Sequence, residues 1–232
     1  MSRKVTRADF RAWNEEMVGK YDQDVYWSKG AWPIRLVERL RIRSILRLLR
    51  SASSDTVVEV GCGTGNVLRE ISGGRCLGMD ISSPLLTRAR EKCGGRAYVL
   101  AADAEFLPLR TGSVDRLLCT EVLEHVLDPA AVLREFARVT RGGGRVVISV
   151  PNERVINAWK KRLLRSRVLQ RLVWKRSEYK MPEDMTDEWH LHVFDRATLE
   201  AIVPNTLQVA TLRTIPSRLL PIRFLVALTR KE

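Results

Sequence analysis

The spacing of apolar positions changes several times along this chain, and each change predicts an element. Residues 7–20 and 33–50 carry apolar side chains at helical spacing. In the second helix Ile34, Val37, Ile42, Ile45, Leu46 and Leu49 form one face, and the arginines are expected to face out. An aromatic connector, Tyr21, Tyr26, Trp27 and Trp32, joins the two. Val57, Val58 and Val60 form a β-branched run suited to a buried strand. Further strands are expected at about 97–101, 114–120 and 145–150, alternating with helices that start at Ser82 or Ser83 before Pro84 and at Asp128 before Pro129. Each start pairs a polar cap with a proline whose missing N–H costs nothing in the first turn. Such alternation predicts an α/β fold with a parallel, doubly wound sheet. A helix at 195–203 and strands at 207–215 and 223–229 close the chain.

The chemistry begins where the first strand ends. Gly61, Gly63 and Gly65 allow positive φ and let a ligand approach bare backbone. Asp80 follows Gly61 by nineteen positions, at the end of the apolar stretch Cys76-Leu77-Gly78-Met79. A βαβ nucleoside site places there the carboxylate that accepts both ribose hydroxyls. A dinucleotide loop needs a third small residue where Asn66 stands, which argues against NAD and FAD.

The run Glu59-Val60-Gly61-Cys62-Gly63-Thr64-Gly65 resembles the first motif of the class I S-adenosylmethionine-dependent methyltransferases, of the type 11 branch that includes ubiquinone- and menaquinone-biosynthesis enzymes. Ala102-Asp103-Ala104-Glu105-Phe106-Leu107-Pro108 is similar to the family's adenine-binding segment, residues 114–126 to its fourth strand and the helix beyond, and residues 141–152 to its glycine-rich turn and fifth strand. The resemblance covers most of residues 55–152. It implies a Rossmann-like seven-stranded sheet of order 3-2-1-4-5-7-6, strand 7 antiparallel, with helices on both faces. Residues 1–50 become a helical lid, and residues 51–232 the methyltransferase domain with a basic helical insertion at about 153–186. S-Adenosyl-L-methionine is the implied cofactor. Glu59 then orders the loop and the cofactor's amino end, Gly61 and Gly63 expose backbone to its methionine moiety, Asp80 binds ribose, and Asp103 with Ala104 frames adenine. Cys62, Gly65, Ile81, Glu105, Glu121 and His125 complete the expected cofactor set.

Only three histidines are available, His125, His190 and His192. If Trp189–Phe194 is extended, His190 and His192 share one side, in a region that borders the acceptor site in related enzymes. Both are candidate catalytic residues. A phenolic hydroxyl would gain roughly 10²–10⁴ in rate from His190 as general base; the alternative is that these histidines only cap the helix or shape the cleft. Glu121, Glu124 and His125 could approach a divalent cation, as suggested for relatives with this spacing. The adjacency of Glu124 and His125 on a helix makes three-point ligation awkward, and no metal is expected. Cys119-Thr120-Glu121-Val122 lacks the Asn/Asp-Pro-Pro-Tyr run that holds an exocyclic base amine, which argues against N6-adenine methylation. The expected activity is methyl transfer to oxygen of a small or lipid-linked acceptor. A tRNA-modifying enzyme and a noncatalytic cofactor-binding regulator are the alternatives.

Composition adds a destination. Of the net charge of +13, residues 33–50 hold six Arg against one Glu and residues 153–180 ten Lys or Arg against two Glu, so the rest sums to zero. Val155, Ile156, Trp159 and Leu163 fall on one helical face, Lys160 and Lys161 on the other. That pattern suits an interfacial helix on an anionic membrane surface, with Trp159 and Trp174 at the boundary between water and acyl chains. Beyond Ser166 the phase slips, predicting two short helices or a kink. The alternative is a cap over the substrate pocket without a membrane role. RNA is the less favoured partner, and no obligate protein partner is expected. Met1–Phe10 lacks the apolar core of a signal peptide and no run reaches transmembrane length, so a cytoplasmic protein is expected, peripheral on the inner membrane face at most. The four cysteines have no metal-ligand spacing, which predicts a reducing compartment and structural thiols.

Overall fold

The computed structural model describes residues 5–21, 24, 32–165 and 189–232. Tyr26, Trp27, Trp174 and the phase slip beyond Ser166 lie outside the described residues. Seven strands form one sheet: β1 (Thr56–Val60), β2 (Arg75–Asp80), β3 (Tyr98–Ala101), β4 (Val114–Thr120), β5 (Thr140–Pro151), β6 (Leu207–Pro216) and β7 (Pro221–Arg230), in the order β3-β2-β1-β4-β5-β7-β6. The first five pair in parallel. β7 runs antiparallel to both β5 and β6, so it alone is reversed and β6 points with the others. Phe224–Leu228 is buried throughout, as a strand covered on both faces requires.

The helices are α1 (Phe10–Lys20), α2 (Trp32–Leu49), α3 (Ser83–Cys93), α4 (Pro129–Val139), α5 (Glu153–Arg165) and α6 (Arg196–Ala201). α2 and α3 cover one face of the sheet through Ile42, Ile45, Leu49, Leu86 and Ala89. α4 and α6 cover the other through Val132, Leu133, Phe136 and Leu199. Asp128 caps α4, its Oδ1 accepting from Ala131 N at 2.9 Å, and Asp195 forms a reciprocal capping box with Thr198. Ser82 sits at the cap position of α3 without a side-chain cap bond, and its buried hydroxyl has no partner among the described residues. The outward placement of the α2 arginines holds for Arg35, Arg39, Arg43 and Arg47, which are exposed, and fails for Arg41, which is buried. Sheet order reverses between β1 and β4, and ligands of open α/β sheets bind outside the carboxyl ends of the strands at such a switch.

Candidate active site

β1 ends in a turn that only glycine accommodates. Gly61 has φ +71°, and a Cβ there would lie 2.2 Å from Val122 Cγ2, so close packing against the segment after β4 already requires glycine. Gly61 N and Cys62 N donate to Met79 O at 2.7 and 2.9 Å, which ties the loop to β2. There Asp80 accepts from Gly63 N through Oδ2 at 2.8 Å and from Ser82 N through Oδ1 at 2.9 Å. Burial raises the Asp80 pKa, against the pull of these N–H groups.

This end of the sheet opens into a cleft of about 660 Å³. Glu59, Gly61, Cys62, Gly63, Asp80 and Ile81 line it, as do Asp103, Ala104, Glu121 and His125. Gly65 and Glu105 are absent from its lining. A Cβ on Gly65 would crowd Ala89 and the Cys93 sulfur, so this glycine serves loop-to-helix packing. Glu105 accepts from Asp128 N at 3.0 Å and from the Arg7 guanidinium, fastening the turn after β3 to α4 and the N-terminal segment. Asp103 Oδ1 accepts from Glu105 N at 2.9 Å and shapes that same turn.

α1 and the residue after it line the cleft through Phe10, Asn14, Val18 and Tyr21. Phe10, Trp13 and Met17 pack with Trp189, and Tyr21 stacks on Trp189 at 5.8 Å between ring centroids. Asp24 accepts from Thr64 Oγ1 and Asn66 Nδ2 at 2.8 and 2.9 Å and pairs with Lys92 and Arg88, tying its position to the glycine loop and α3. Burial opposes its ionisation, but Lys92, Asn66 and Thr64 hold its pKa at about 2.

A second wall is built from residues the sequence left unremarked. Arg223 donates from Nε to Glu121 Oε2 at 2.7 Å and pairs with Glu38 at 2.9 Å. Glu38 also accepts from Arg41 Nε at 2.9 Å. The buried Nη1 of Arg41 has no partner among the described residues. Glu121, at φ +56°, also accepts from Ser149 Oγ at 2.7 Å. Burial would raise its pKa, but Arg223 and Arg41 hold it well below the usual range. Glu59 is held the other way: burial, reinforced by Asp80 and resisted by Arg41, lifts it to about 8, and its Oε2 is without a partner among the described residues. Glu38 and Arg41, three apart within an apolar helix run, were the legible signal for an inward-facing pair.

The histidines separate clearly. His190 lines the cleft and bonds Glu153 Oε1 through Nδ1 at 2.7 Å. His192 is absent from the lining and donates from Nε2 to Val126 O at 2.9 Å. His125 donates from Nδ1 to Trp189 O at 2.9 Å, and burial with the nearby His190 lowers its pKa to about 3. Burial and the charge of Glu121 push Glu124 well above the usual range. Glu124, His125 and His190 bring one oxygen and two nitrogens within 4.8 Å of one another. Glu121 turns away to Arg223 and Ser149, so the spacing of Glu121, Glu124 and His125 does not gather those three side chains around one point. The four cysteines are buried as free thiols.

The family profile described as a methyltransferase domain, type 11, matches residues 58–148, the span that holds the glycine loop, Asp80, Asp103 and Glu121. Residues 58–148 thus carry a methyltransferase domain of this family. The chain is 31% identical over 147 residues to a ubiquinone biosynthesis O-methyltransferase of Sodalis glossinidius, covering 61% of this chain and 59% of that one. It is 34% identical over 107 residues to a malonyl-[acyl-carrier protein] O-methyltransferase of Hamiltonella defensa, covering 45% and 41%. The chain thus spans three fifths or less of the length of these relatives. In fold it is similar to the N-methyltransferase NodS of Bradyrhizobium japonicum in complex with S-adenosyl-l-homocysteine, with a TM-score of 0.67 at 16% identity over 97% of this chain and 100% of that one. Among the described residues no helix is long and apolar enough to cross a membrane.

Proposed function

We propose that this methyltransferase transfers a methyl group from S-adenosylmethionine to an oxygen of a small or lipid-linked acceptor, with His190 as general base. One observation carries the cofactor assignment. Two buried polar atoms on the same cleft as Asp80, the acceptor Glu59 Oε2 and the donor Arg41 Nη1, have no partner among the described residues. The methionine end of S-adenosylmethionine is a zwitterion that needs both, and its ribose diol needs a carboxylate. Glu59 would take the ammonium, Arg41 the carboxylate, Asp80 the ribose, and Asp103 with Ala104 the adenine.

When bound, S-adenosylmethionine supplies a methyl group on a sulfonium, which an acceptor lone pair displaces in line as the C–S electron pair returns to sulfur. The chain supplies position and dryness. Ile34, Val37, Ile156, Trp159 and Ile222 give the cleft an apolar side suited to a hydrophobic acceptor body. His190 accepts the acceptor's proton. His125, with its pKa near 3, is too weakly basic for this at neutral pH, and His192 is committed outside the cleft. The names of the relatives, two O-methyltransferases, agree with an oxygen acceptor.

The helix after β5 supports the cap reading of the insertion. Ile156, Trp159 and Arg162 of α5 line the cleft, with Trp159 half-exposed. The exposed Lys161, Arg162 and Arg165 also suit an anionic surface, and each is worth up to about 1 kcal/mol there. Sedimentation with anionic vesicles at low salt tests that contact: pelleting abolished by reversing Lys161, Arg162 and Arg165 to Glu supports it, and no pelleting of the wild type removes it.

Tritiated S-adenosylmethionine offered with an alkyl-chain catechol, the matching aryl amine, or bulk tRNA separates the readings of function. Label in the catechol, lost in His190→Ala, supports the proposal. Label in the amine or tRNA moves the acceptor, and binding without turnover on any of the three favours a regulator.

A further inference from the structure

Glu153 lies just beyond the motifs and the family match. It opens α5, directly after β5 and Asn152, with its side chain buried. A charged residue at a helix start ordinarily reaches water. This one turns inward, Oε1 lying 2.7 Å from His190 Nδ1 while Oε2 is buried without a partner among the described residues.

We propose that Glu153 is the positioning residue for His190, its carboxylate holding the imidazole as the Nδ1–H tautomer and so placing the basic lone pair on Nε2. The inference rests on the reading of His190 as general base. A carboxylate can only accept, so a 2.7 Å contact requires the proton on Nδ1. The backbone is fixed as well. Glu124 O accepts from Leu191 N and His192 N at 2.7 and 3.1 Å, and Trp189 O accepts from His125, so the residues on either side of His190 are anchored to the segment after β4. The ring therefore has one orientation and one tautomer before any acceptor enters.

Charge adds to geometry. Among the described residues, the titratable groups around His190 include Glu153 from α5 and Glu124 and His125 from the segment after β4, with Glu121 and, from β7, Arg223 acting on Glu124. Glu124 is held toward its neutral form and His125 is neutral. Glu153 has an oxygen in hydrogen-bond contact with Nδ1 of the ring, so its carboxylate stabilises the imidazolium formed when the acceptor's proton arrives. That proton moves from acceptor oxygen to Nε2, and it leaves to solvent when product departs.

The test is nitrogen-15 NMR of the imidazole rings in the full chain, which needs neither cofactor nor acceptor. Wild type should show His190 as the Nδ1–H tautomer. Glu153→Gln keeps an acceptor and removes the charge, so the His190 pKa should fall by about one unit or more; Glu153→Ala should lose the tautomer preference as well. With the alkyl-chain catechol, Glu153→Gln should lower kcat roughly 10- to 100-fold, leave the KM for S-adenosylmethionine unchanged, and move the acid limb of the pH profile to lower pH. An Nε2–H tautomer in wild type overturns the proposal without any variant. So does a His190 titration unchanged in a Glu153→Gln protein that still binds S-adenosylhomocysteine. Loss of wild-type methyl transfer in the presence of EDTA overturns it too, because the ring would then serve an ion. His190→Ala at full activity removes the base reading instead, while the tautomer result stands on its own.

Discussion

Arg223 Nε lies 2.7 Å from Glu121 Oε2, so the reversed strand β7 reaches across β5 to hold the residue that follows β4. The same guanidinium pairs with Glu38 of α2, making one buried network out of α2, β7 and the cleft wall. The cleft at the switch point is thus tied to α2 as well.

Removing Arg223 should expose what that network carries. Arg223→Met takes the paired guanidinium from Glu121 while Glu38 keeps Arg41, and breaking a buried pair in this way costs about 2–3 kcal/mol once discounted for the accessible fifth of the Arg223 and Glu121 side chains. Because Glu121 has a depressed pKa, its contribution is present above the ordinary glutamate range and lost as pH falls through the lowered value. Chemical denaturation should find the wild type losing stability at acid pH and the variant weaker at neutral pH with a smaller acid loss.

Glu59 makes the opposite prediction. Its pKa is raised to about 8, so the native state favours the protonated form, and stability falls as pH climbs from the ordinary glutamate range to about 8. Glu59→Gln should flatten that decline in Tm against pH while weakening S-adenosylmethionine. Pairing with the cofactor's ammonium should also ionise Glu59, so titrations in buffers of different ionisation enthalpy should report proton release near neutral pH. Proton uptake would remove Glu59 from the amino end.

Gly61→Ala tests the turn. The variant meets both a φ of +71° and a Cβ position 2.2 Å from Val122 Cγ2, so Val122 must move, at about 1–3 kcal/mol. Val122 lines the cleft, so cofactor affinity should fall along with stability. A variant with wild-type Tm and affinity would mean that the loop adapts freely.

What was legible in the sequence was local. Gly61 through Asp80 spans the single crossover from β1 to β2, where spacing fixes geometry even though the expected α-helix between these strands is reduced to the 3-10 turn Leu68–Glu70. Asp128 with Pro129 is likewise decided within a few residues. The Glu38–Arg223 and Glu153–His190 pairs were not legible, because a returning antiparallel strand and an intervening segment bring them together. Arg41 shows the limit of periodicity: an arginine among outward arginines reads as solvated, and only an inward carboxylate partner explains its burial. On α5 the pattern predicted an apolar face holding Ile156 and Trp159, yet a pattern cannot name what the face meets, and both line the cleft. His190 and His192 look equivalent in an extended segment; the neighbouring carbonyl of Val126 and carboxylate of Glu153 set them apart.

Asp80 is proposed to hold the ribose of S-adenosylmethionine in this cleft, and calorimetric titration of the cofactor into the wild-type chain and into Asp80→Ala tests that role. The wild type should bind one equivalent, and the variant, folded by circular dichroism, should bind about 2 kcal/mol more weakly because charged hydrogen bonds to ribose are lost. No binding to the wild type, or equal affinity in the folded variant, would contradict the account.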